Sequence, residues 1–266
     1  PAGLQPRLMK TTVLSIAAVA ALALLACAEA QDPPQGWMAY AVGQVPAGTK
    51  RITKMSMKWT VGDSAAPSFA FYSPWFGMDP SDNMNLIQPV NPWGGSSWSY
   101  YTEWFDWNTG GNSNSNQESI SSGQTLHGTL TYDESSDSYF LNQTCIETGV
   151  SSTQTVKCAD SVFVIPYVVY EKTFPCKNYP PDEKVTFHIL ELDCDGSDCI
   201  DKVQWTPKVK DANCDMTAHI ESQTEISITW NTNAVSQYDN YTAAELFDLN
   251  YNGWAMRLPL ERPSEE

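Results

Sequence analysis

The chain has 266 residues, of which 42% are hydrophobic and 12% aromatic, with 31 acidic against 15 basic residues and a formal net charge of −16. This apolar content can fill a sizeable core, which excludes disorder for most of the chain. The length fits one large all-β domain or two ordinary domains. Because the negative charge repels phosphate backbones and anionic lipids, we expect neither nucleic acid nor a membrane surface as a partner.

The N-terminus has the order of features typical of a secretory signal peptide. Met9-Lys10 precedes a hydrophobic run over 13–25 and an A-x-A cleavage site at 28–30. We therefore assign 1–8 to leader or vector-derived sequence and 9–30 to the signal peptide. The mature chain is expected to be secreted, into the extracellular space or an acidic vacuolar compartment, and to have no membrane contact after signal cleavage.

Beyond the signal peptide, short β-rich runs alternate with clusters of Gly, Asn, Asp, Ser and Pro, a pattern typical of an all-β chain. Because no βαβ alternation is visible, we predict two packed antiparallel sheets of the jelly-roll or lectin-like type. The predicted strands cover 37–42, 51–61, 69–77, 85–90, 97–107, 117–121, 125–133, 138–147, 153–157, 161–171, 184–192, 201–207, 216–222 and 225–230.

Only one domain is expected, because no repeat or interdomain linker is evident. We assign 31–235 to the β-sandwich and 236–266 to a C-terminal tail, with a short helix near 242–249. The segment 110–116 is interpreted as a polar loop.

Seven cysteines are present, and Cys27 lies within the predicted signal peptide. A lipid anchor on Cys27 is the alternative, but Leu25 stands where such sites usually carry a small residue. The other six cysteines favour three disulfides in an oxidising compartment. Fifteen connectivities are possible. The short loop between Cys194 and Cys199 favours that pair, and a hairpin would be closed by Cys145–Cys158, which leaves Cys176 with Cys214.

Two sequons predict a glycoprotein. Asn142 is followed by Gln-Thr and Asn240 by Tyr-Thr. Glycans at these asparagines would fix both segments as surface turns of a eukaryotic secreted protein.

Familiar catalytic motifs are missing from the sequence. None of the three histidines, His127, His188 and His219, has a spacing typical of a zinc site, and no Gly-x-Ser-x-Gly or phosphate-binding glycine loop is found. The acidic segment 193–198 is better interpreted as a solvated turn than as a calcium loop. We expect no metal or cofactor, so carboxylates and amides must carry any reaction.

Three polar residues stand in apolar or aromatic strands. Glu171 ends the apolar run 161–171, Glu103 alternates with Tyr101 and Phe105, and Gln88 follows two apolar residues. A carboxyl that is partly desolvated has a raised pKa, which suits proton transfer. The alternative for each residue is a simple hydrogen bond to a neighbouring strand or turn.

Four segments carry these polar residues and their neighbours: Ser73-Pro-Trp75-Phe-Gly77-Met-Asp79, Asn85-Leu-Ile-Gln88, Tyr100-Tyr-Thr-Glu103-Trp104-Phe and Tyr167-Val-Val-Tyr-Glu171. Taken together, these segments and their order resemble the eqolisins, the glutamic peptidases of fungi. The resemblance covers about 36–232.

This resemblance implies a concanavalin-like double antiparallel β-sheet sandwich whose concave sheet carries a catalytic pair, Gln88 and Glu171. Glu171 would activate a water for attack on a protein or peptide substrate, and Gln88 would stabilise the oxyanion. The implied supporting residues are Trp75, Asp79 and Glu103. Aromatic residues that either line the substrate groove or fill the sandwich core are Trp93, Trp98 and Trp104.

The function expected from this resemblance is that of a secreted, monomeric endopeptidase working at acidic pH. Two alternatives come from other classes. A sheet rich in Trp and Tyr also suits a carbohydrate-binding or glycoside-cleaving sandwich, since paired carboxylates can hydrolyse glycosides. A non-catalytic secreted protein of the same fold is the other alternative.

Overall fold

β-Strands form where apolar and polar residues alternate between turn-forming clusters. They make up most of the described residues. The computed structural model describes residues 36–106, 109–157 and 161–252, and all of these belong to one compact unit. The predicted leader and signal peptide lie outside the described residues.

One sheet, here called the cleft sheet, has eight antiparallel strands. Its strands are β1 (Trp37–Gln44), β3 (Ser73–Pro80), β4 (Asn85–Val90), β5 (Trp98–Asp106), β6 (Gly111–Asn114), β7 (Glu118–Ile120), β11 (Phe163–Glu171) and β14 (Gln204–Val209). They follow the order β14-β1-β11-β3-β4-β5-β6, and β7 also pairs with β5. The segment predicted as a polar loop therefore contains β6, whose backbone pairs at the sheet edge although its side chains lack an apolar alternation.

The other sheet, here called the back sheet, also has eight strands. These are β2 (Ile52–Thr60), β8 (Thr125–Asp133), β9 (Ser138–Cys145), β10 (Ser151–Val156), β12 (Lys184–Cys194), β13 (Ser197–Asp198), β15 (Thr217–Ser222) and β16 (Glu225–Thr229). Their order is β10-β9-β8-β2-β12-β16-β15, with β13 paired to β12.

The two sheets pack face to face over one large apolar core. Phe76 of β3 and Trp59 of β2 are both buried in this core, with ring centroids 5.9 Å apart in an edge-to-face contact. A Cβ atom on Gly128 of β8 would lie 2.6 Å from the Phe76 ring, so only glycine permits this approach. The predicted β-sandwich is confirmed.

A second, smaller apolar cluster covers the opposite face of the cleft sheet. It forms because the central strands are apolar on both faces, as in β3, where every residue is buried. Its buried members are Trp37, Tyr40, Trp75, Leu86, Val90, Tyr167 and Val169. This face, turned away from the main core, carries the candidate site.

The tail predicted after residue 235 packs on the sandwich through a short helix. Helix α1 (Ala243–Phe247) begins with a capping box between Thr242 and Glu245, at the predicted position. Leu246 is fully buried, as is Asn250 in the following π-helical turn, Asp248–Asn252. Short 3₁₀ turns lie at Cys176–Asn178, Ile200–Lys202 and Asn213–Asp215. Within the described ranges, no helix is long and apolar enough to cross a membrane.

Two predicted disulfides are confirmed, Cys176–Cys214 and Cys194–Cys199. Cys145 is a free, buried cysteine in the structure, and its predicted partner Cys158 lies outside the described residues. The expected surface turn at Asn142 is wrong, because this residue lies half-buried inside β9. Asn240 is exposed in a turn, as expected.

Candidate functional site

Neighbouring strands β11, β3, β4 and β5 carry the predicted catalytic and supporting residues. Side chains alternate between the two faces of a strand. Glu171 has the parity of Val169, Gln88 that of Val90, and Glu103 that of two aromatic residues packed on the smaller apolar cluster. All three therefore belong to the face turned away from the main core.

Gln88 and Glu103 form a cross-strand pair between β4 and β5. The Gln88 Nε2 donates to Glu103 Oε2 at 2.7 Å, and Asn112 Nδ2 of β6 donates to Glu103 Oε1 at 3.2 Å. Burial raises the pKa of Glu103. Those two hydrogen bonds and Lys172 act in the opposite direction, whereas Glu171 raises the pKa further.

The Gln88 side chain is 3% exposed, and its Oε1 has no hydrogen-bond partner among the described residues. A Cβ on Gly77, the facing residue of β3, would come within 2.5 Å of the Ile87 carbonyl oxygen and 3.0 Å of Gln88 Cβ. Glycine at this position therefore allows β4 to lie close to β3, which determines how deeply the Gln88 side chain is buried.

Glu171 ends β11 beside Ser73 of β3 and Trp37 of β1. Its Oε1 lies 3.2 Å from Nζ of Lys172, and the two side chains are only 9% and 4% exposed. Lys172 is not among the site residues predicted from the sequence. The pattern that could have identified it is a lysine directly after a buried strand, since buried lysines are almost always paired.

A cleft of about 250 Å³ brings Glu103, Glu171 and Lys172 together. The remaining side chains of its wall are Phe71, Ser73, Val90, Tyr101, Phe105, Asn112 and Asn114. Among the residues described, no hydrogen bond joins Gln88 to Glu171. The cleft thus combines two carboxylates and one ammonium, with the Gln88 amide held against Glu103, a set suited to proton transfer and oxyanion stabilisation.

Trp75 and Asp79 of β3 lie outside the cleft wall. Trp75 is fully buried and packs edge-to-face on Trp37, with centroids 5.0 Å apart. Asp79 is 6% exposed, and burial raises its pKa well above the ordinary value, with a further increase from Asp82. Trp75 belongs to the smaller apolar cluster on the face that carries the site.

The predicted groove tryptophans do not line the cleft. Trp93 and Trp98 are 1% and 3% exposed in the main core, and Trp104 packs against that core. On β5, Trp98 and Trp104 have the parity opposite to Glu103, which directs them between the sheets. Phe71, Val90, Tyr101 and Phe105 form the apolar wall instead.

Over the described part of the chain, no group of three or more His, Cys, Asp or Glu side chains is arranged to hold a metal ion. The acidic turn at 193–198 instead contains β13. There Asp195 accepts backbone N–H groups from Lys50 and Arg51.

Comparisons with known proteins identify the fold. The structure is similar to scytalido-glutamic peptidase in complex with a peptide-based transition state analogue, at 17% identity over 74% of this chain and 98% of that chain, with a TM-score of 0.55. The chain has the eqolisin fold. SCP-B, an eqolisin-family peptidase in complex with the tripeptide Ala-Ile-His, matches with the same identity and coverage and a TM-score of 0.53.

No protein-family model matches the sequence, and no curated protein matches it. The resemblance to the eqolisins that the sequence motifs indicate is confirmed at the level of the fold. Within this eqolisin fold, the cleft is formed by β3, β4, β5, β6 and β11 together with the segments that follow β11 and precede β3.

Proposed function

We propose that this protein is a secreted acid endopeptidase that hydrolyses peptide bonds with a water activated by Glu171 and held by Gln88. The observation that carries the proposal is that Glu103 and Glu171 line one cleft, while the Gln88 amide donates a hydrogen bond to Glu103. The fold supports the same reading, because a glutamic peptidase of this fold takes a peptide-based transition state analogue.

Each residue of the set has a chemical role. The Glu171 carboxylate removes a proton from the water, the water oxygen bonds to the scissile carbonyl carbon, and the proton then passes to the leaving amine as the C–N bond breaks. The Gln88 Oε1 accepts a hydrogen bond from the water. One Nε2 proton is held by Glu103, and the second stabilises the oxyanion.

Export is part of this proposal. Two disulfides lie among the described residues, and such bonds persist mainly in oxidising compartments. We do not propose a sugar-stacking site, since Trp93, Trp98 and Trp104 lie in or against the core.

Hydrolysis of a denatured protein substrate by the purified chain tests the proposal. We expect cleavage at acidic pH that chelators, pepstatin and serine or cysteine reagents leave unchanged, since the site offers none of them a target. Glu171→Gln should abolish this cleavage and keep the fold. An absence of cleavage at every pH, or inhibition by a chelator, would contradict the proposed function.

A further inference from the structure

The turn that follows Glu171 has an unusual conformation. Lys172 has a left-handed backbone, with φ of 79°, and a side chain that is 4% exposed. Both features are unfavourable for a lysine and persist only where the surroundings enforce them. Backbone outliers of this kind concentrate at functional sites.

Two residues distant in sequence, Gly36 and Asn250, and the nearby Tyr179 hold this turn. The Lys172 N–H donates to the Gly36 carbonyl oxygen at 2.6 Å, and the Tyr179 hydroxyl donates to the Lys172 carbonyl oxygen at 2.8 Å. The neighbouring Thr173 N–H donates to Asn250 Oδ1 at 2.7 Å, while Asn250 Nδ2 donates to the Thr173 carbonyl oxygen at 2.9 Å. We call Gly36, Tyr179 and Asn250 the turn clamp.

The turn clamp places the Lys172 ammonium in the cleft, beside Glu171. The ammonium lies 3.2 Å from Glu171 Oε1 and lines the same cleft as Glu171 and Glu103. These two carboxylates, from β11 and β5, are the charged groups of the cleft wall that face it. Removing one partner of such a buried pair leaves an uncompensated charge, so the carboxylate loses its fixed orientation.

We propose that Lys172 is a positioning residue of the active site: its ammonium fixes the Glu171 carboxylate at the cleft through one oxygen, and the turn clamp holds Lys172 in place. This inference rests on the proposed function. Lys172 acts through Glu171 and not on the substrate, so its loss affects kcat much more than KM.

The kinetic test compares Lys172→Met and Lys172→Arg with the wild type on one peptide substrate. Lys184→Met is the matched control, because Lys184 forms an exposed ion pair with Glu221 on the back sheet at 3.5 Å. We expect Lys172→Met to lower kcat by about 10²-fold, the effect of a misplaced catalytic group, with KM nearly unchanged. Lys172→Arg should recover much of kcat, and Lys184→Met should match the wild type.

A second measurement does not depend on turnover. The Lys172 ammonium lowers the pKa of Glu103, which burial raises. Carboxyl ¹³C titration should therefore give a higher pKa for Glu103 in Lys172→Met than in the wild type, Lys172→Arg or Lys184→Met. An unchanged value would overturn the placement of the ammonium.

The outcomes separate this inference from the proposed function. A wild type that cleaves no peptide contradicts the proposed function, and with it the positioning role. An active wild type with unchanged kcat in Lys172→Met overturns the positioning role alone. If Lys172→Met fails to fold, Asn250→Ala loosens the clamp with Lys172 present, and unchanged kcat in that variant overturns the proposal.

Discussion

Gln88 presents an amide whose two ends have different surroundings. Its Nε2 donates to Glu103, whereas its buried Oε1 has no partner among the described residues. A buried polar atom without a partner is rare in proteins and is generally satisfied by water or ligand. The arrangement therefore fits an amide that is anchored at one end and receives the reacting water at the other.

Gln88→Ala should reduce kcat by about 10²–10³-fold, the usual effect of losing one oxyanion donor. The fold should persist, because β4 keeps its backbone pairing with β5. Gln223→Ala is the control, since the Gln223 Nε2 donates to two backbone carbonyl oxygens, those of Asp201 and Val203. Peptide hydrolysis measured for both variants checks this prediction, and equal rates would contradict it.

The contact between β8 and β3 controls how closely the two sheets pack. An added methyl group at Gly128 would meet the Phe76 ring at 2.6 Å and Pro89 Cγ at 2.9 Å. Phe76 belongs to β3 and Pro89 to β4, next to Gln88, so overpacking at this point should disturb the site as well as the core.

We expect Gly128→Ala to reduce the free energy of unfolding by about 1–3 kcal/mol, the usual range for overpacking. Thermal denaturation should show a Tm lower by roughly 2–4 °C per kcal/mol for a domain of this size. Gly94→Ala is the control, because its nearest neighbour would be a backbone oxygen at 3.7 Å. Equal Tm values for the two variants would refute the argument.

Much of the site could be predicted from strand periodicity, because the alternation of side chains along a strand is visible in the local sequence. The alternation in β5 puts Glu103 on the face of Tyr101 and Phe105, and that interpretation agrees with their packing. The same alternation already placed Trp98 and Trp104 on the other face. Of the two alternatives left open for these tryptophans, groove or core, their packing in or against the main core favours the core.

Other parts of the site depend on contacts that periodicity does not report. Asn112 reaches Glu103 because the polar strand β6 pairs at the sheet edge. Lys172 reaches Glu171 because the chain turns with a positive φ, held by residues from both ends of the described chain. Such long-range hydrogen bonds leave no pattern in a single sequence.

Two groups of carboxylates have pKa values shifted in opposite directions. Burial raises the pKa values of Asp79, Glu103, Asp182 and Asp193. Hydrogen bonds lower the pKa values of the exposed Asp133, Glu147, Glu221 and Glu245 and of the half-buried Glu183. Carboxyls whose pKa is raised in the folded protein stabilise the fold at pH values below their ordinary pKa. This contribution disappears as the pH rises through their folded pKa. Carboxyls whose pKa is lowered in the folded protein stabilise the fold at pH values above their ordinary pKa. They lose this contribution as the pH falls through their folded pKa.

These opposite contributions predict greatest stability at mildly acidic pH, with a decline towards neutral pH that the net charge of −16 increases. Asp79→Asn should flatten that decline, because it removes the buried group that must ionise. Asp201→Asn, at an exposed position, is the control. Tm measured from acidic to neutral pH checks the prediction, and a Tm that rises over this range would contradict it.

In the proposed mechanism Glu171, and not Glu103, is the base that activates the water. The most direct test of this assignment is kcat/KM for Glu171→Gln and Glu103→Gln on the same peptide across the acidic range, with the exposed turn variant Glu134→Gln as control. Loss of the base should lower kcat/KM by about 10²–10⁴-fold in Glu171→Gln, whereas Glu103→Gln should shift the pH profile more than it lowers the maximum. An active Glu171→Gln beside an inactive Glu103→Gln would contradict the account.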